Sequence, residues 1–318
     1  MIGHMKVIVL LNRGAGTVVS ATAAKMDAAA ADAMTSSGIA ADLRSVSHYQ
    51  LAAEAKAAAG SDADVVVAGG GDGTVNTVAA ALAGTGKPLG VLALGTLNHF
   101  ARDLGIPLDL ASAAAIIAAG HTEPVDVGRI NDLVFVNNSS IGLYSRAVLV
   151  REAHRRRGFS KWWAMGLAIL KVFRRFPMLE VRLTADGSAI RRRTPLVFVG
   201  NNRYEFDLFN VGTRDCLCAG ELGLYIANTQ SRWGMVRLAI RGAFGRLKQS
   251  RDFELSCQRE IWVESRKRSL HVALDGEVVT LRPPLHYRTW PEALQVCVPK
   301  RDASRIETQG KNTENLNR

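Results

Sequence analysis

Two glycine-rich turns carry the residue types in this chain that are best suited to chemistry. The first lies within VVVAGGGDGTVNTVAAAL at residues 65–82, and the second lies within LALGTLNHFARDLGIP at residues 92–107. Each turn follows an apolar run and opens a stretch with helical character. Glycine lets the backbone approach an anion closely, and the free N–H groups and dipole of a helix start attract phosphate. One such turn could be a tight connection without a ligand, but two of them predict a phosphate site.

A single carboxylate, Asp72, stands inside the first turn. A negative charge does not itself favour phosphate, so Asp72 indicates either a bound cation or a role in moving a proton. Thr74 follows two residues later and is of a type that caps helices. The first turn therefore combines a phosphate-binding backbone with one acidic group.

The elements that must position these turns alternate from residue 6 to about residue 125. Short apolar runs are followed by alanine-rich helical stretches, and the runs are KVIVLL (6–11), ADLRSV (41–46), ADVVVAGG (63–70) and PLGVLAL (88–94). Strands that are apolar on both faces and alternate with helices are typical of a parallel sheet covered on both sides. Ligands bind such a sheet beyond the carboxyl ends of its strands, which is where both turns fall.

From about residue 126 the pattern changes to short strands joined by Gly, Asp, Asn and Pro turns. TADG at residues 184–187 reads as a hairpin turn, for example. Many short strands of this kind favour a β-sandwich. The sequence therefore predicts an α/β domain over residues 1–126, a β-sandwich domain over 127–299 and a disordered polar tail over 300–318.

Composition and charge limit the classes of function. The chain has 318 residues, a net charge of +11 and a pI near 9.9, which favour an anionic partner such as a nucleotide, nucleic acid or an acidic membrane surface. No apolar run reaches about 18 residues, and the short apolar start of the chain reads as a strand rather than a secretory signal. The four cysteines lack zinc spacing and are expected to be reduced and packed. These features predict a cytoplasmic protein.

Five motifs in order resemble the catalytic domain of diacylglycerol kinases and their bacterial lipid kinase and sphingoid-base kinase relatives. The motifs are GGGDGTVNTV (69–78), PLGVLALGTLNHFARDLGIP (88–107), VDVGRINDLVFVNNSSIGLYS (125–145), PLVFVGNNRYE (195–205) and LHVALDGE (270–277). The first motif alone is shared with NAD kinases, whereas the ordered set is more specific. The resemblance implies an α/β fold with a Rossmann-like, parallel-sheet nucleotide-binding domain followed by a β-sandwich domain. It also implies ATP and Mg²⁺ as cofactors.

The resemblance assigns nucleotide contacts to three loops and one hairpin. These residues are Asn12, Gly14 and Gly16 in LNRGAG, then Gly70, Gly71, Gly73 and Thr74, then Gly95, Thr96 and Asn98, and finally Glu277. Asp72 would contact the catalytic Mg²⁺ that ATP carries. The chain departs from the family at Arg13, which replaces a proline and adds a positive charge, at Thr77, which replaces a glutamate, and at His99, which replaces a frequent aspartate.

Three carboxylates are the catalytic candidates that the resemblance implies: Asp72, Asp126 and Asp275. Asp275 in LDGE matches the proposed general base of the family, and Asp126 matches its VDxG carboxylate. From the residues alone, Asp275 could instead be the first residue of a DG hairpin turn, and Asp126 could be a strand-end carboxylate that caps backbone. Some relatives bind a structural Mg²⁺ through an Asp-Asp-Gly turn, but this chain has Ala219 and Gly220 there.

One helical segment, SKWWAMGLAILKVFRRF at residues 160–176, interrupts the strands. Its basic residues Lys171, Arg174 and Arg175 fall within one arc, which is typical of a helix at an anionic membrane surface. The alternative is a core helix with a solvated basic edge, because the apolar residues extend nearly all round. We expect the protein to contact an anionic membrane surface peripherally and to form a homodimer. Nucleic acid is not an expected partner, because the sequence contains no nucleic-acid-binding module.

The leading hypothesis is an ATP-dependent lipid kinase that acts on diacylglycerol or a related lipid alcohol. A soluble-substrate kinase of the NAD kinase type shares the first motif, but the second motif and LDGE favour the lipid kinase. A non-catalytic nucleotide- or lipid-binding relative is favoured by Thr77 and the altered metal turn, and opposed by Asp72 and Asp275.

Overall fold

The computed structural model describes residues 5–13, 20–142, 178–185, 188–206, 211–214, 219–229 and 253–300, together with residues 231, 233, 234 and 237. The predicted segment at 160–176 and residues 301–318 of the predicted tail lie outside these ranges.

The N-terminal half is a parallel sheet with helices packed on it. Its strands are β1 (Val7–Arg13), β2 (Ala41–Ser47), β3 (Val65–Gly70) and β4 (Leu89–Ala93), which pair in the order β2-β1-β3-β4. Its helices are α1 (Ser20–Ser36), α2 (His48–Ala59), α3 (Asp72–Leu82), α4 (His99–Asp103) and α5 (Leu110–Ala119). Strands β3 and β4 are buried along their whole length, as their unbroken apolar runs predict.

Local sequence signals set several helix ends. The Asp109 carboxylate accepts the backbone N–H of Ser112 at 2.8 Å and so caps the start of α5, and this bond lowers the pKa of that carboxyl. The same helix ends at Gly120, whose φ of 66° is left-handed and suits glycine. These caps make α5 a fixed length beside β4.

The C-terminal half is built from short strands. They are β5 (Thr122–Ile130), β6 (Leu133–Phe135), β7 (Asn138–Gly142), β8 (Leu179–Ala185), β9 (Ser188–Thr194), β10 (Leu196–Asn201), β11 (Tyr204–Phe206), β12 (Val211–Arg214), β13 (Leu222–Ala227), β14 (Phe253–Gln258), β15 (Glu260–Ser265), β16 (Leu270–Leu274), β17 (Glu277–Leu281) and β18 (Leu285–Cys297). Strands β8 and β9 pair antiparallel up to Ala185 and Ser188, which confirms the predicted TADG hairpin.

Two sheets face each other in this half. One is antiparallel, with the order β14-β13-β10-β7-β16-β17, and the other contains β18, β15, β8 and β9. Apolar side chains from both sheets form one core, including Ile141 and Val272 from the first and Val181 and Ile261 from the second. The fold class predicted from the sequence, a parallel-sheet domain followed by a β-sandwich, is therefore confirmed. The exact boundaries at residues 126 and 299 stay a prediction.

Strand β18 joins the two halves. It pairs antiparallel with β5 and, through Val296 and Leu89, parallel with β4, so the parallel sheet continues into one sheet of the sandwich. Cys297 at its end is buried, and this burial raises the pKa of the Cys297 thiol to about 11. Cys257 and Cys297 are free, whereas Cys216 and Cys218 lie outside the described residues. No helix within the described ranges is long and apolar enough to cross a bilayer.

Candidate active site

The first glycine-rich turn lies between the end of β3 and the start of α3. A Cβ atom on Gly70 would lie 2.3 Å from Oγ1 of Thr74, so only glycine fits there. The Thr74 hydroxyl accepts a hydrogen bond from Nδ2 of Asn12 at 2.9 Å, which ties the end of β1 to the turn. The expectation that Thr74 caps the helix is wrong, because Gly71 is the N-cap and no side chain caps it. The N–H groups of Thr74 and Val75 donate to the carbonyl of Gly71 at 2.9 and 3.1 Å, so the N–H groups of Asp72 and Gly73 are the ones at the start of α3 that are suited to bind an anion.

The second turn is held in shape by Asn98. Its φ of 51° is left-handed, which asparagine tolerates better than most residues. Its amide accepts the N–H of Gly95 at 3.1 Å and donates to the carbonyl of Gly95 at 2.9 Å. Asn98 is 6% exposed, whereas Thr96 and His99 are exposed at the surface of the turn. Asn98 thus positions the backbone, and its neighbours face outward.

The two turns meet backbone to backbone. The N–H of Leu94 donates to the carbonyl of Gly70 at 2.9 Å. A Cβ atom on Gly95 would lie 2.5 Å from Cα of Gly71, and one on Gly71 would lie 3.3 Å from Cα of Gly95. Gly95 is therefore needed for this contact, whereas a side chain on Gly71 requires a shift of only a few tenths of an ångström. The two turns lie together at one edge of the sheet.

Two carboxylates lie at the start of α3. Oδ1 of Asp72 accepts the backbone N–H of Phe100 at 3.4 Å, which places Asp72 between the first turns of α3 and α4. A Cβ atom on Gly73 would lie 3.5 Å from Oε1 of Glu277, so the exposed Glu277 side chain reaches this helix start from the sandwich half. A negative charge at a helix N-terminus is favourable. The edge thus combines two glycine turns with two acidic groups from different halves of the chain.

Asp275 occupies the β16–β17 turn and contacts the β6–β7 loop. Asp275 and Gly276 have φ angles of 48° and 89°, which fits the hairpin reading of the DG pair. Its carboxylate accepts three backbone N–H groups, from Val136 at 2.9 Å and from Asn137 and Asn138 at 2.8 Å each. Three such donors favour the ionised carboxylate and fix its orientation. Asp275 therefore forms part of the hairpin turn, and its side chain also holds the β6–β7 loop in place.

Asn201 holds the same loop from its other side. Its Nδ2 donates to the carbonyls of Asp126 at 2.7 Å and Val136 at 3.0 Å, and its N–H donates to the carbonyl of Asn137 at 2.8 Å. Sequence reasoning missed this residue as a site element, although it lies within the motif PLVFVGNNRYE. A buried asparagine that bonds to a distant strand and a distant loop has no local pattern that would predict its partners.

The Asp126 carboxylate caps backbone, which was one of the two sequence-based alternatives. The residue is 1% exposed, and its two oxygens accept the N–H groups of Gly220 at 2.6 Å and Glu292 at 2.9 Å. Glu292 lies in the irregular stretch of β18 between Trp290 and Leu294, opposite Asp126. The carboxylate thus satisfies one N–H of this bulge and one of the turn at Gly220.

The remaining predicted residues have other partners. Arg13 forms an ion pair with Asp27 at 2.9 Å, so the positive charge that was predicted to add to the phosphate site is already partly neutralised. The Thr77 hydroxyl donates to the carbonyl of Gly73 at 2.9 Å within the helix. Gly14 and Gly16 lie outside the described residues.

Comparison with protein families covers both halves of the chain. Residues 6–130 match the model of the diacylglycerol kinase catalytic domain, and residues 140–298 match the YegS C-terminal NAD kinase beta sandwich-like domain. The chain belongs to the family defined by these two domains together, the diacylglycerol kinase catalytic domain and the YegS C-terminal sandwich-like domain. The two matches fall on the parallel-sheet half and the sandwich half described above.

Individual proteins that are similar to this chain carry names that agree with that assignment. A probable lipid kinase YegS-like of Klebsiella pneumoniae (strain 342) is 48% identical over 86 residues, which are 26% of this chain and 29% of the relative. A diacylglycerol kinase of Staphylococcus aureus (strain JH9) is 31% identical over 151 residues, 46% of this chain and 47% of the relative. The chain therefore spans less than half of these curated relatives' lengths. A crystal structure titled as a diacylglycerol kinase of Bacillus anthracis has the same fold, with a TM-score of 0.63, 21% identity and coverage of 93% of this chain and 97% of that one.

The residues present fit the Mg²⁺ ion that the diacylglycerol kinase family implies. No group of three or more His, Cys, Asp or Glu side chains in the part of the chain that the structure describes is arranged as a metal site. Mg²⁺ that accompanies a nucleotide needs only one or two carboxylates, because phosphate and water supply its other ligands. Asp72 and Glu277 at the start of α3 meet that requirement.

Replacing Asp126 with alanine is expected to lower the free energy of unfolding by about 3 kcal/mol, because two backbone N–H groups lose a charged acceptor. Urea denaturation followed by tryptophan fluorescence measures this value. The matched control is Asp132→Ala, which removes an exposed aspartate from the β5–β6 turn and should change the value by less than about 0.5 kcal/mol. Equal, small losses in both variants would contradict the capping role.

Proposed function

We propose that this protein is an ATP-dependent lipid kinase that transfers the γ-phosphate to the hydroxyl of diacylglycerol or a related lipid alcohol. The observation that carries this proposal is the meeting of the two glycine turns with the hairpin of Asp275 and Glu277 above the start of α3. In this arrangement, N–H groups that are suited to phosphate lie in one half of the chain, and a hairpin that carries Asp275 and Glu277 faces them from the other half. Family membership supports the reaction class.

The glycine turns would hold the phosphates of ATP. Gly71 and Gly95 let the backbone of both turns approach the phosphate oxygens, and Gly70, Gly73 and Thr74 keep the first turn in shape. We assign Asn12 and Asn98 to supporting this backbone, because their amides bond to Thr74 and Gly95. Phosphoryl transfer depends mainly on such positioning and on stabilisation of charge. Mg²⁺ held by Asp72 and Glu277 would supply that stabilisation when bound.

Asp275 is the proposed general base for the acceptor hydroxyl. A base must be ionised and fixed at a set position, and the three N–H donors of the β6–β7 loop provide both conditions. We assign Asp126 to supporting the bulge of β18 and the turn at Gly220 rather than to the reaction, because it is 1% exposed, whereas Asp275, whose oxygens also accept backbone N–H groups, is partly exposed at its hairpin.

A lipid acceptor determines the cellular location in which the protein must act. A diacylglycerol is embedded in a bilayer, and no helix in the described part of the chain is long and apolar enough to cross one, so the acceptor would be reached from the membrane surface. We therefore propose a cytoplasmic protein that associates peripherally with an anionic membrane.

The test is a comparison of acceptors. Purified protein is incubated with Mg²⁺ and ATP that carries a labelled γ-phosphate, and with either diacylglycerol, other lipid alcohols in mixed micelles, or NAD. We expect label in a chloroform-soluble product from one or more lipids and none on NAD. Label on NAD would favour the NAD kinase type, and ATP binding without transfer to any acceptor would favour a non-catalytic relative.

A further inference from the structure

Three neighbouring strands at one end of the large sheet carry arginines on a single face. The strand order ends in β15-β8-β9, and the inner face of these strands buries Val181, Leu183 and Val263 in the sandwich core. Because side chains alternate along a strand, the intervening residues point outward. The outward residues form what we call the arginine face: Arg182 on β8, Arg191 and Arg193 on β9, and Arg266 after β15, with Glu180 and Glu264 among them.

A groove with a volume of about 490 Å³ runs along the arginine face and is lined by all six of these residues. Only part of its positive charge is neutralised. Arg182 lies 3.8 Å from Glu264, and Arg192, which also lines the groove, pairs with Glu254 of the other sheet at 3.1 Å. The guanidinium groups of Arg191, Arg193 and Arg266 form no ion pair with any described residue.

The register places Glu180 opposite Arg193 and Glu264 opposite Arg182, and it also places one pair of like charges together. Arg182 on β8 lies directly opposite Arg191 on β9. Like charges in this position destabilise a sheet, and an anion bound between them removes the repulsion. Guanidinium groups bind phosphate in a bidentate manner, so an arginine pair on adjacent strands is a suitable site for a phosphate group.

We propose that the arginine face is a docking surface for the phosphate headgroups of an anionic lipid bilayer. The groove lies open along a sheet surface and its arginines come from several strands, and the exposed turn residues Lys267 and Arg268 extend its positive charge. A bilayer presents many phosphates in one plane, which matches arginines spread over three strands. Strands β18 and β15 separate β8 from β4, so this surface is distinct from the glycine turns.

Nucleic acid is the other polyanion to consider, and the face lacks what it needs. Single-stranded binders present aromatic rings on which bases stack, and duplex binders insert an element into a groove. The exposed aromatic next to the arginine face in the described residues is Trp262, and its ring already stacks on His286 with the ring centres 3.8 Å apart. The bilayer is therefore the partner that this surface favours.

The test is sedimentation with vesicles of phosphatidylcholine and phosphatidylglycerol, using the full chain. The variant Arg191→Gln with Arg193→Gln keeps side-chain length and removes two positive charges from the edge strand. Its matched control, Lys25→Gln with Lys56→Gln, removes two exposed charges from α1 and α2. We expect vesicle binding to fall by about tenfold or more in the arginine variant and to change little in the control. Added salt should weaken binding of the wild type likewise.

Three results would overturn the proposal. The first is wild-type vesicle binding by the arginine variant, or an equal fall in the lysine control. The second is that only Lys171→Ser with Arg174→Ser and Arg175→Ser, in the segment predicted from sequence, loses vesicle binding. The third is that the arginine variant loses affinity for duplex DNA and not for vesicles.

Vesicle binding does not require phosphoryl transfer, so this inference and the proposed kinase activity fail separately. The arginine variant should phosphorylate a water-soluble, short-chain diacylglycerol at the wild-type rate. If it loses turnover on that dissolved substrate, the arginines belong to the reaction and the docking role is wrong.

Discussion

Replacing Gly71 with valine is expected to abolish ATP binding and to leave the fold intact. The backbone of Gly71 has φ of −87° and ψ of −174°, which is an extended conformation that valine adopts without strain. Its Cβ atom would lie 3.3 Å from Cα of Gly95, and the two methyl groups would occupy the space between the glycine turns. A phosphate could then no longer reach the N–H groups at the start of α3. Isothermal titration with ATP and Mg²⁺ measures the effect, and circular dichroism confirms folding.

The matched control for this variant is Gly60→Ala. Gly60 lies at the end of α2 with φ of −86°, and a Cβ atom there would come no closer than 3.8 Å to another atom. We expect wild-type ATP affinity in this control. Unchanged ATP affinity in a folded Gly71→Val variant would show that the phosphate does not bind between the two turns.

Replacing Asp275 with asparagine is expected to lower turnover by about 10²-fold or more, because the amide cannot take the proton of the acceptor hydroxyl. ATP binding should survive, because the glycine turns that hold the phosphates belong to the other half of the chain. A modest loss of stability should accompany the change. The two carboxylate oxygens accept three backbone N–H groups, whereas an amide has only one oxygen that can accept them. Steady-state kinetics, ATP titration and urea denaturation of the same sample separate these effects.

The pH profile distinguishes a general base from a residue that only positions the β6–β7 loop. If Asp275 is the base, the fall of wild-type kcat/KM at acid pH disappears in Asp275→Asn, because the titrating group is gone. If Asp275 only holds the loop, the variant keeps that acidic limb at a lower overall rate, and Asp275→Ala, which loses all three bonds, is slower still. Near wild-type turnover in Asp275→Asn would exclude the residue from the reaction.

The parts of this structure that depend on local sequence could be predicted. The apolar runs that become β3 and β4 are buried on both faces, and the glycine turns fall at their carboxyl ends, where a parallel sheet binds ligands, because each turn directly follows its strand in the sequence. The Asp-Gly pair at residues 275 and 276 forms the turn that its composition indicates. In each case the signal and the structure it determines lie within a few residues of each other.

The parts that depend on distant partners could not be predicted. The hydroxyl of Thr74 bonds to Asn12 from another strand instead of capping its own helix, because the N-cap position falls on Gly71. Asp126 contacts Gly220 and Glu292, which lie 94 and 166 residues away along the chain. The pairing of β18 with β4 likewise joins residues about two hundred positions apart, and the sequence pattern of neither strand predicts its partner.

The measurement that tests the central claim most directly follows two labels of ATP into lipid. Wild-type protein and Gly71→Val are each incubated with Mg²⁺, diacylglycerol in mixed micelles, and ATP labelled at either the γ- or the α-phosphate. A kinase whose phosphate lies between the two glycine turns moves γ-label, and no α-label, into the chloroform phase with the wild type, and moves neither label with Gly71→Val. Equal transfer by both proteins would contradict the site, and the absence of γ-label from every lipid product of the wild type would contradict the lipid kinase itself.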